Sequence, residues 1–251
     1  CQHDVAAALC DMPLWSISAC EQAGVPLLYV GNFTWTELYR EFLPEHIWEA
    51  YAAEYRKIRH GMLYALHNPE MLEFLSQAEL SETSLVARPF HPDEIQAIRA
   101  RHTCPVVFVA LGMSAQFTQP VSVEGVEAHF YVTEGVPLTG SNVTVIPYST
   151  LHTQDYVAAA DYVITKAGWG TVGECLLAQK PMALFARDSV LEDRTTIRLL
   201  EQKKLAIKVT YEQLTEMSDL LEQMKQITYP AVPEYHNAAA EIVSKLLTLT
   251  E

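Results

Sequence analysis

Apolar positions follow two spacings along this chain. Compact apolar runs at residues 5–10, 25–30, 106–111, 128–133, 143–147, 162–165, 182–186 and 205–209 predict buried strands. Between most of them apolar residues recur every three or four positions. That period predicts helices over 13–23, 34–42, 93–102, 153–160, 171–179, 193–203 and 212–227. A longer helix is expected over 44–66, where Ile47, Tyr51, Tyr55, Ile58 and Met62 form a stripe that reads as core packing. Strands alternating with helices predict an α/β protein with doubly wound, parallel sheets. The segment ARPFHP at 87–92 carries two prolines and reads as a lobe boundary. The expected division is therefore 1–88, 89–232, and a carboxy-terminal helix in 233–251 that packs back towards the first lobe. The first lobe shows about two strands, too few to cover both faces of a sheet. More strands are expected ahead of Cys1.

The chain has 251 residues, enough for two lobes with separate cores. A formal net charge of −14 argues against a surface that tracks phosphates, so nucleic acid and anionic lipid are not expected as main partners. A local basic pocket remains open, because Lys166, Arg187 and Arg194 lie close in sequence. The five cysteines are odd in number and include no C-x-x-C, which reads as reduced thiols in a cytoplasmic protein. Two N-x-[ST] sequons, at Asn32 and Asn142, read as chance without a secretory signal. No apolar run approaches the ~20 residues of a membrane span. The nine histidines show no paired ligand spacing, and no D-x-D occurs. Neither a metal nor a cofactor is expected.

The chemistry concentrates between Tyr162 and Lys204. A strand meets a glycine-rich elbow (Gly168, Gly170, Gly173) that opens a helix, with Glu174 expected one turn in. Backbone N–H groups at a helix start can take a diphosphate. A carboxylate beside them can accept both hydrogens of a ribose diol. The next strand ends in Arg187 and Asp188, and a helix start carrying Glu192 and Asp193 follows. These polar groups suit a sugar. Gly168-Trp-Gly-Thr-Val-Gly173 also matches G-x-G-x-x-G, so an NAD-dependent oxidoreductase is an alternative. Against it, the dinucleotide fingerprint normally sits on the first strand of its fold, and several strands precede this one.

The stretch ITKAGWGTVGECLLAQKPMALFAR resembles the carboxy-terminal lobe of GT-B glycosyltransferases. It is similar to the peptidoglycan N-acetylglucosaminyltransferase family and to the glycosyltransferase-like amino-terminal half of L-arabinokinases. Upstream, Asp11-Met-Pro13, Ala23-Gly24-Val25, Asn32-Phe-Thr-Trp35 and Tyr39 resemble the second of these. The resemblance implies two Rossmann-like lobes facing a cleft, the first on the acceptor side and incomplete here. It implies transfer of a sugar from a nucleoside-diphosphate sugar, a UDP-sugar favoured, by a metal-independent and inverting route. Gly168, Gly170 and Thr171 would face the diphosphate, Glu174 the ribose and Tyr148 the base. Arg187, Asp188, Glu192 and Asp193 would lie near the donor sugar. The chain departs from the pattern at Leu111-Gly112-Met113-Ser114, which has one glycine where the transferases have two, and at Glu192-Asp193-Arg194, which lacks their glutamine. The kinase likeness also allows a non-catalytic sugar-nucleotide-binding module.

An inverting transfer needs a base for the acceptor's proton. Asp11, at the end of a strand in the first lobe, is the candidate. Its plainer reading is a cap for the following helix. Asn32 is a polar strand exit that can position the acceptor or merely close a turn. No G-x-S-x-G elbow occurs, so hydrolase chemistry has no support.

Overall fold

The computed structural model describes residues 4–111, 119–185, 187 and 189–250. It falls into two compact units, Cys1–Leu85 with His236–Glu251, and Val86–Tyr235.

The first unit contains β1 (Ala8–Cys10), α1 (Leu14–Ala23), β2 (Leu27–Gly31), α2 (Trp35–Arg40), α3 (Glu45–Tyr55), β3 (His60–Tyr64) and β4 (Glu79–Thr83). The strands form one parallel sheet in the order β1-β2-β3-β4. Its core joins Tyr29, Tyr55, Leu63, Met71 and Phe74. Two expectations are corrected here. The helix over 44–66 stops at Tyr55, and Met62 belongs to β3. The unit therefore has four strands rather than two. A buried parallel strand presents apolar residues on both faces, and such a run can be mistaken for the end of a helical stripe. The other missed strand, β4, has a largely exposed, polar sequence, ELSET, which carries no apolar signal.

Tyr55 and Tyr29 shape the loops at the carboxyl ends of β1 and β2. The Tyr55 hydroxyl donates to Met12 O at 3.2 Å and accepts from the Trp35 N–H at 3.2 Å. Tyr29 donates to Phe33 O at 2.5 Å. A Cβ on Gly31 would lie 2.4 Å from the Tyr29 hydroxyl oxygen, so the glycine is what lets that ring fold back over its own strand.

The second unit contains α4 (Pro92–Arg99), β5 (Val106–Ala110), β6 (Val121–Ser122), β7 (His129–Thr133), β8 (Leu138–Thr139), β9 (Val143–Ile146), α5 (Thr153–Ala159), β10 (Tyr162–Lys166), α6 (Trp169–Leu177), β11 (Met182–Phe185), α7 (Leu191–Gln202), β12 (Ala206–Val209), α8 (Tyr211–Thr215) and α9 (Met217–Met224). Six strands form a parallel sheet in the order β12-β11-β10-β5-β7-β9, while β6 and β8 pair separately. One face of the sheet (Val107, Val109, Phe130, Val132, Ile164) packs with Leu214, Met217, Leu220 and Met224 of α8 and α9. On the other face Tyr156 of α5 lies against Phe108 and Tyr131. From β5 the chain runs outward through β7 to β9, then crosses back to place β10 on the other side of β5. The winding thus reverses between β5 and β10. The helix expected over 212–227 is broken at Glu216, whose ψ of 50° is not helical.

The last helix, α10 (Ala239–Thr248), belongs to the first unit and packs on β2. Its entry is fixed by backbone bonds from Leu85 N to His236 O (3.3 Å) and from Ala238 N to Leu85 O (2.8 Å). Among the described residues no helix is long and apolar enough to cross a membrane.

Candidate functional site

In open parallel sheets ligands bind outside the carboxyl ends of the strands where the winding reverses. Here that point is the end of β5 and β10, and β10 runs directly into the glycine elbow. Local bonds hold the elbow. Thr165 Oγ1 donates to Ala110 O at 2.7 Å, joining the ends of the two strands. Ala167 N reaches Phe185 O at 3.3 Å, and Gly168 N closes a tight turn on Lys166 O at 2.8 Å. The α6 helix then starts at Trp169, two residues earlier than expected, with Gly168 as its cap residue and no capping side chain. The N–H groups of a helix's first turn have no acceptor within the helix itself.

Gly170 is exposed, and among the described residues a Cβ built on it would meet no neighbouring atom within 4 Å. No described residue requires a glycine there, although glycine weakens a helix. Its missing side chain leaves the helix start open. Thr171, half-buried, follows it.

Glu174 lies on the second turn of α6, not the first. It is 3% exposed, and its Oε1 accepts from Arg88 Nε at 2.8 Å. In the sequence Arg88 is one residue of the 87–92 linker. It is 86 positions from Glu174, and no sequence spacing could have paired them.

Tyr148, just beyond β9, is 62% exposed, and its N–H donates to Glu134 Oε2 at 3.2 Å. Arg187 and Asp193 meet each other. Arg187 Nε and Nη2 donate to Asp193 Oδ2 and Oδ1 at 2.8 and 2.7 Å, and the Arg187 N–H adds a third bond to Oδ2 at 3.1 Å. This pairing raises the Arg187 pKa above its ordinary value. Asp193 has no exposed surface, so the expectation that it faces a sugar is corrected. Its carboxylate clamps Arg187, whose side chain stays 38% exposed and can present its remaining N–H groups to solvent or ligand. Glu192 is half-buried beside them. Asp188 and Gly112–Ser114 lie outside the described residues.

In the first unit, Asp11 follows β1 and is exposed. No side chain caps α1, so Asp11 does not play the capping role that is its plainer reading. Partial desolvation by its neighbours holds its carboxyl above the ordinary value. The next residue, Met12, has a φ of 78°, a left-handed conformation costly for a side-chain-bearing residue. Asn32 is 7% exposed, and its carbonyl accepts from Asn68 N at 2.6 Å.

A cavity of about 780 Å³ opens elsewhere in the second unit, lined by Pro105, Ala128, Asn142 and Tyr162. It lies at the amino ends of β5, β7 and β10, opposite the elbow, and none of the expected site residues lines it. Among the described residues no group of three His, Cys, Asp or Glu is placed to hold a metal.

No curated protein matches the chain. Solved structures do. A UDP-glucosyltransferase from Polygonum tinctorium capable of glucosylating indoxyl aligns with a TM-score of 0.67 at 12% identity, over 99% of this chain and 76% of that one. An Arabidopsis thaliana protein solved with UDP-L-rhamnose aligns with a TM-score of 0.62 at 12% identity, over 95% and 70%. The glycosyltransferase SnogD from Streptomyces nogalater gives 0.53 at 16% identity, over 95% and 69%. At these identities the likeness speaks to fold. The sequence profile of the glycosyltransferase family 28 C-terminal domain matches residues 102–249, which span the elbow and nearly all of the second unit. The chain therefore belongs to the glycosyltransferase family 28 C-terminal domain family and is a glycosyltransferase of the GT-B superfamily.

Proposed function

We propose that this protein moves a sugar from a UDP-sugar to an acceptor hydroxyl, without a metal and with inversion at the anomeric carbon. The observation that carries the reading is the open helix start at Gly170, set where the winding of the sheet reverses. The diphosphate lies against the N–H groups of Gly170 and Thr171, next to Gly168, where the positive end of the α6 dipole faces it. Glu174 receives the ribose and Tyr148 lies beside the base. Arg187, held by Asp193, meets the sugar, with Asp188 and Glu192 nearby. The acceptor oxygen bonds to the anomeric carbon as the bond from that carbon to the diphosphate oxygen breaks. The acceptor's proton passes to Asp11, an exposed carboxylate at the end of β1. The nucleoside diphosphate leaves with the bonding pair, and α6 stabilises the charge it gains. Asn32 positions the acceptor. The four described cysteines are free thiols, which fits a cytoplasmic setting.

The test is a thermal-shift panel of UDP, GDP, dTDP, ADP and NAD, followed by assay of donor turnover. Selective stabilisation by UDP and release of UDP from a UDP-sugar are expected. UDP binding with neither transfer nor donor hydrolysis would leave a binding module, and selective stabilisation by NAD would refute the reading.

A further inference from the structure

The Arg88 guanidinium commits all three of its nitrogens within the second unit. Nε donates to Glu174 Oε1 at 2.8 Å, Nη1 to Leu151 O at 3.0 Å and Nη2 to Thr153 Oγ1 at 3.0 Å. The partners come from two places. Glu174 belongs to α6, while Leu151 and Thr153 belong to the stretch from Tyr148 into α5. The Glu174 side chain keeps 4% of its surface and that of Arg88 keeps 48%. A carboxylate so enclosed needs an opposite charge beside it. A planar fork with fixed donor directions also sets how that carboxylate is turned, which a lysine ammonium would not do. Flanking bonds fasten the same strap of chain. Pro89 O accepts from Gln154 Nε2 at 3.0 Å, and His91 reaches Asp155 through its backbone N (2.9 Å) and Nδ1 (2.8 Å).

We propose that Arg88 is a positioning residue for the donor nucleotide, orienting the Glu174 carboxylate towards the ribose and fixing the 148–153 segment beside the base. The inference rests on the reading of the elbow as a nucleoside-diphosphate site. With Oε1 engaged by Arg88, Oε2 becomes the principal acceptor for the ribose hydroxyls. One guanidinium thereby links recognition of the sugar ring to the placement of the base-side loop. Arg88 does not touch the reacting atoms. Its effect is on which nucleotides are held, and how tightly.

The experiment is calorimetric titration of wild type, Arg88→Met and Arg88→Lys with UDP and with 2′-deoxy-UDP, alongside melting temperatures. Wild type is expected to prefer UDP. Arg88→Met should bind UDP about tenfold more weakly or worse, and its preference for UDP over 2′-deoxy-UDP should collapse towards one. Arg88→Lys keeps the charge but cannot hold three acceptors in a plane, so it should lose the same preference while melting close to wild type. If Arg88→Met does not fold, Arg88→Lys decides the matter. A lower melting temperature with the wild-type preference intact would make Arg88 a structural strut and overturn the inference alone. Failure of wild type to bind UDP would instead overturn the reading of the site, and this inference with it.

Discussion

Replacing Gly170 by alanine should move stability and donor affinity in opposite directions. Among the described residues the added methyl meets no neighbouring atom within 4 Å, so they offer no clash to relieve. Alanine favours helix over glycine by about 0.5–1 kcal/mol, and less near a helix start, so a gain of about 0.5 kcal/mol is reasonable. For a unit of this size that is a rise of roughly 1–2 °C in melting temperature. On the proposed reading of the elbow, the same methyl stands where a diphosphate approaches the first-turn N–H groups. Losing one charge-assisted bond there, worth roughly 1.5–3 kcal/mol, weakens UDP binding by about tenfold to a hundredfold. Differential scanning without ligand and calorimetric titration with UDP measure the two effects separately. A more stable variant with unchanged UDP affinity would make Gly170 an ordinary helix defect and dismiss the elbow as a phosphate cradle. A less stable variant would show that the space around Gly170 is not open.

Three further outcomes are expected. Glu174→Ala should weaken UDP binding by about tenfold to a hundredfold and Glu174→Gln by less, since glutamine keeps one acceptor; unchanged affinity in titration would remove Glu174 from the ribose site. Asp193→Ala should cost about 2 kcal/mol or more in urea unfolding, because Arg187 loses all three of its bonds there; wild-type stability with reduced donor binding would return Asp193 to direct ligand contact. Glu37, 1% exposed, has its carboxyl pushed up from 4.5 to about 7, chiefly by burial and against the bonds it accepts from Thr34. The native state then holds a proton that the unfolded chain has released, so stability conferred below pH 4.5 is lost as pH rises to about 7. At about 1.4 kcal/mol per pH unit the loss approaches about 3 kcal/mol. Glu37→Gln should flatten that part of the stability profile, and a parallel profile for the two proteins would refute the assignment.

The second unit was largely legible because its strands are short, apolar and separated by helices with clear periodicity. The elbow was legible because its glycines and Glu174 are contiguous in sequence. The first unit was harder. Buried β3 reads like one more turn of α3, and β4 offers little apolar signal because it is mostly exposed. Pairings across long separations were also hidden. Arg187 and Asp193 were both found as polar groups beside one strand end, but nothing in their spacing said that they would neutralise each other. Arg88 looked like a linker residue because its partners are set by the fold, not by the local sequence.

The return of α10 to the first unit has a consequence for the order of folding. Val86–Tyr235 is one continuous stretch, so all its contacts are available once Tyr235 has been made. The first unit is interrupted by that stretch, and its final helix is produced last. Closing a flexible loop of about 150 residues would cost on the order of 4 kcal/mol before Leu85 could pair with Asn237. Prior folding of the inserted unit replaces the loop with an ordered body and lowers that cost. The second unit is thus suited to fold before the first is completed by α10.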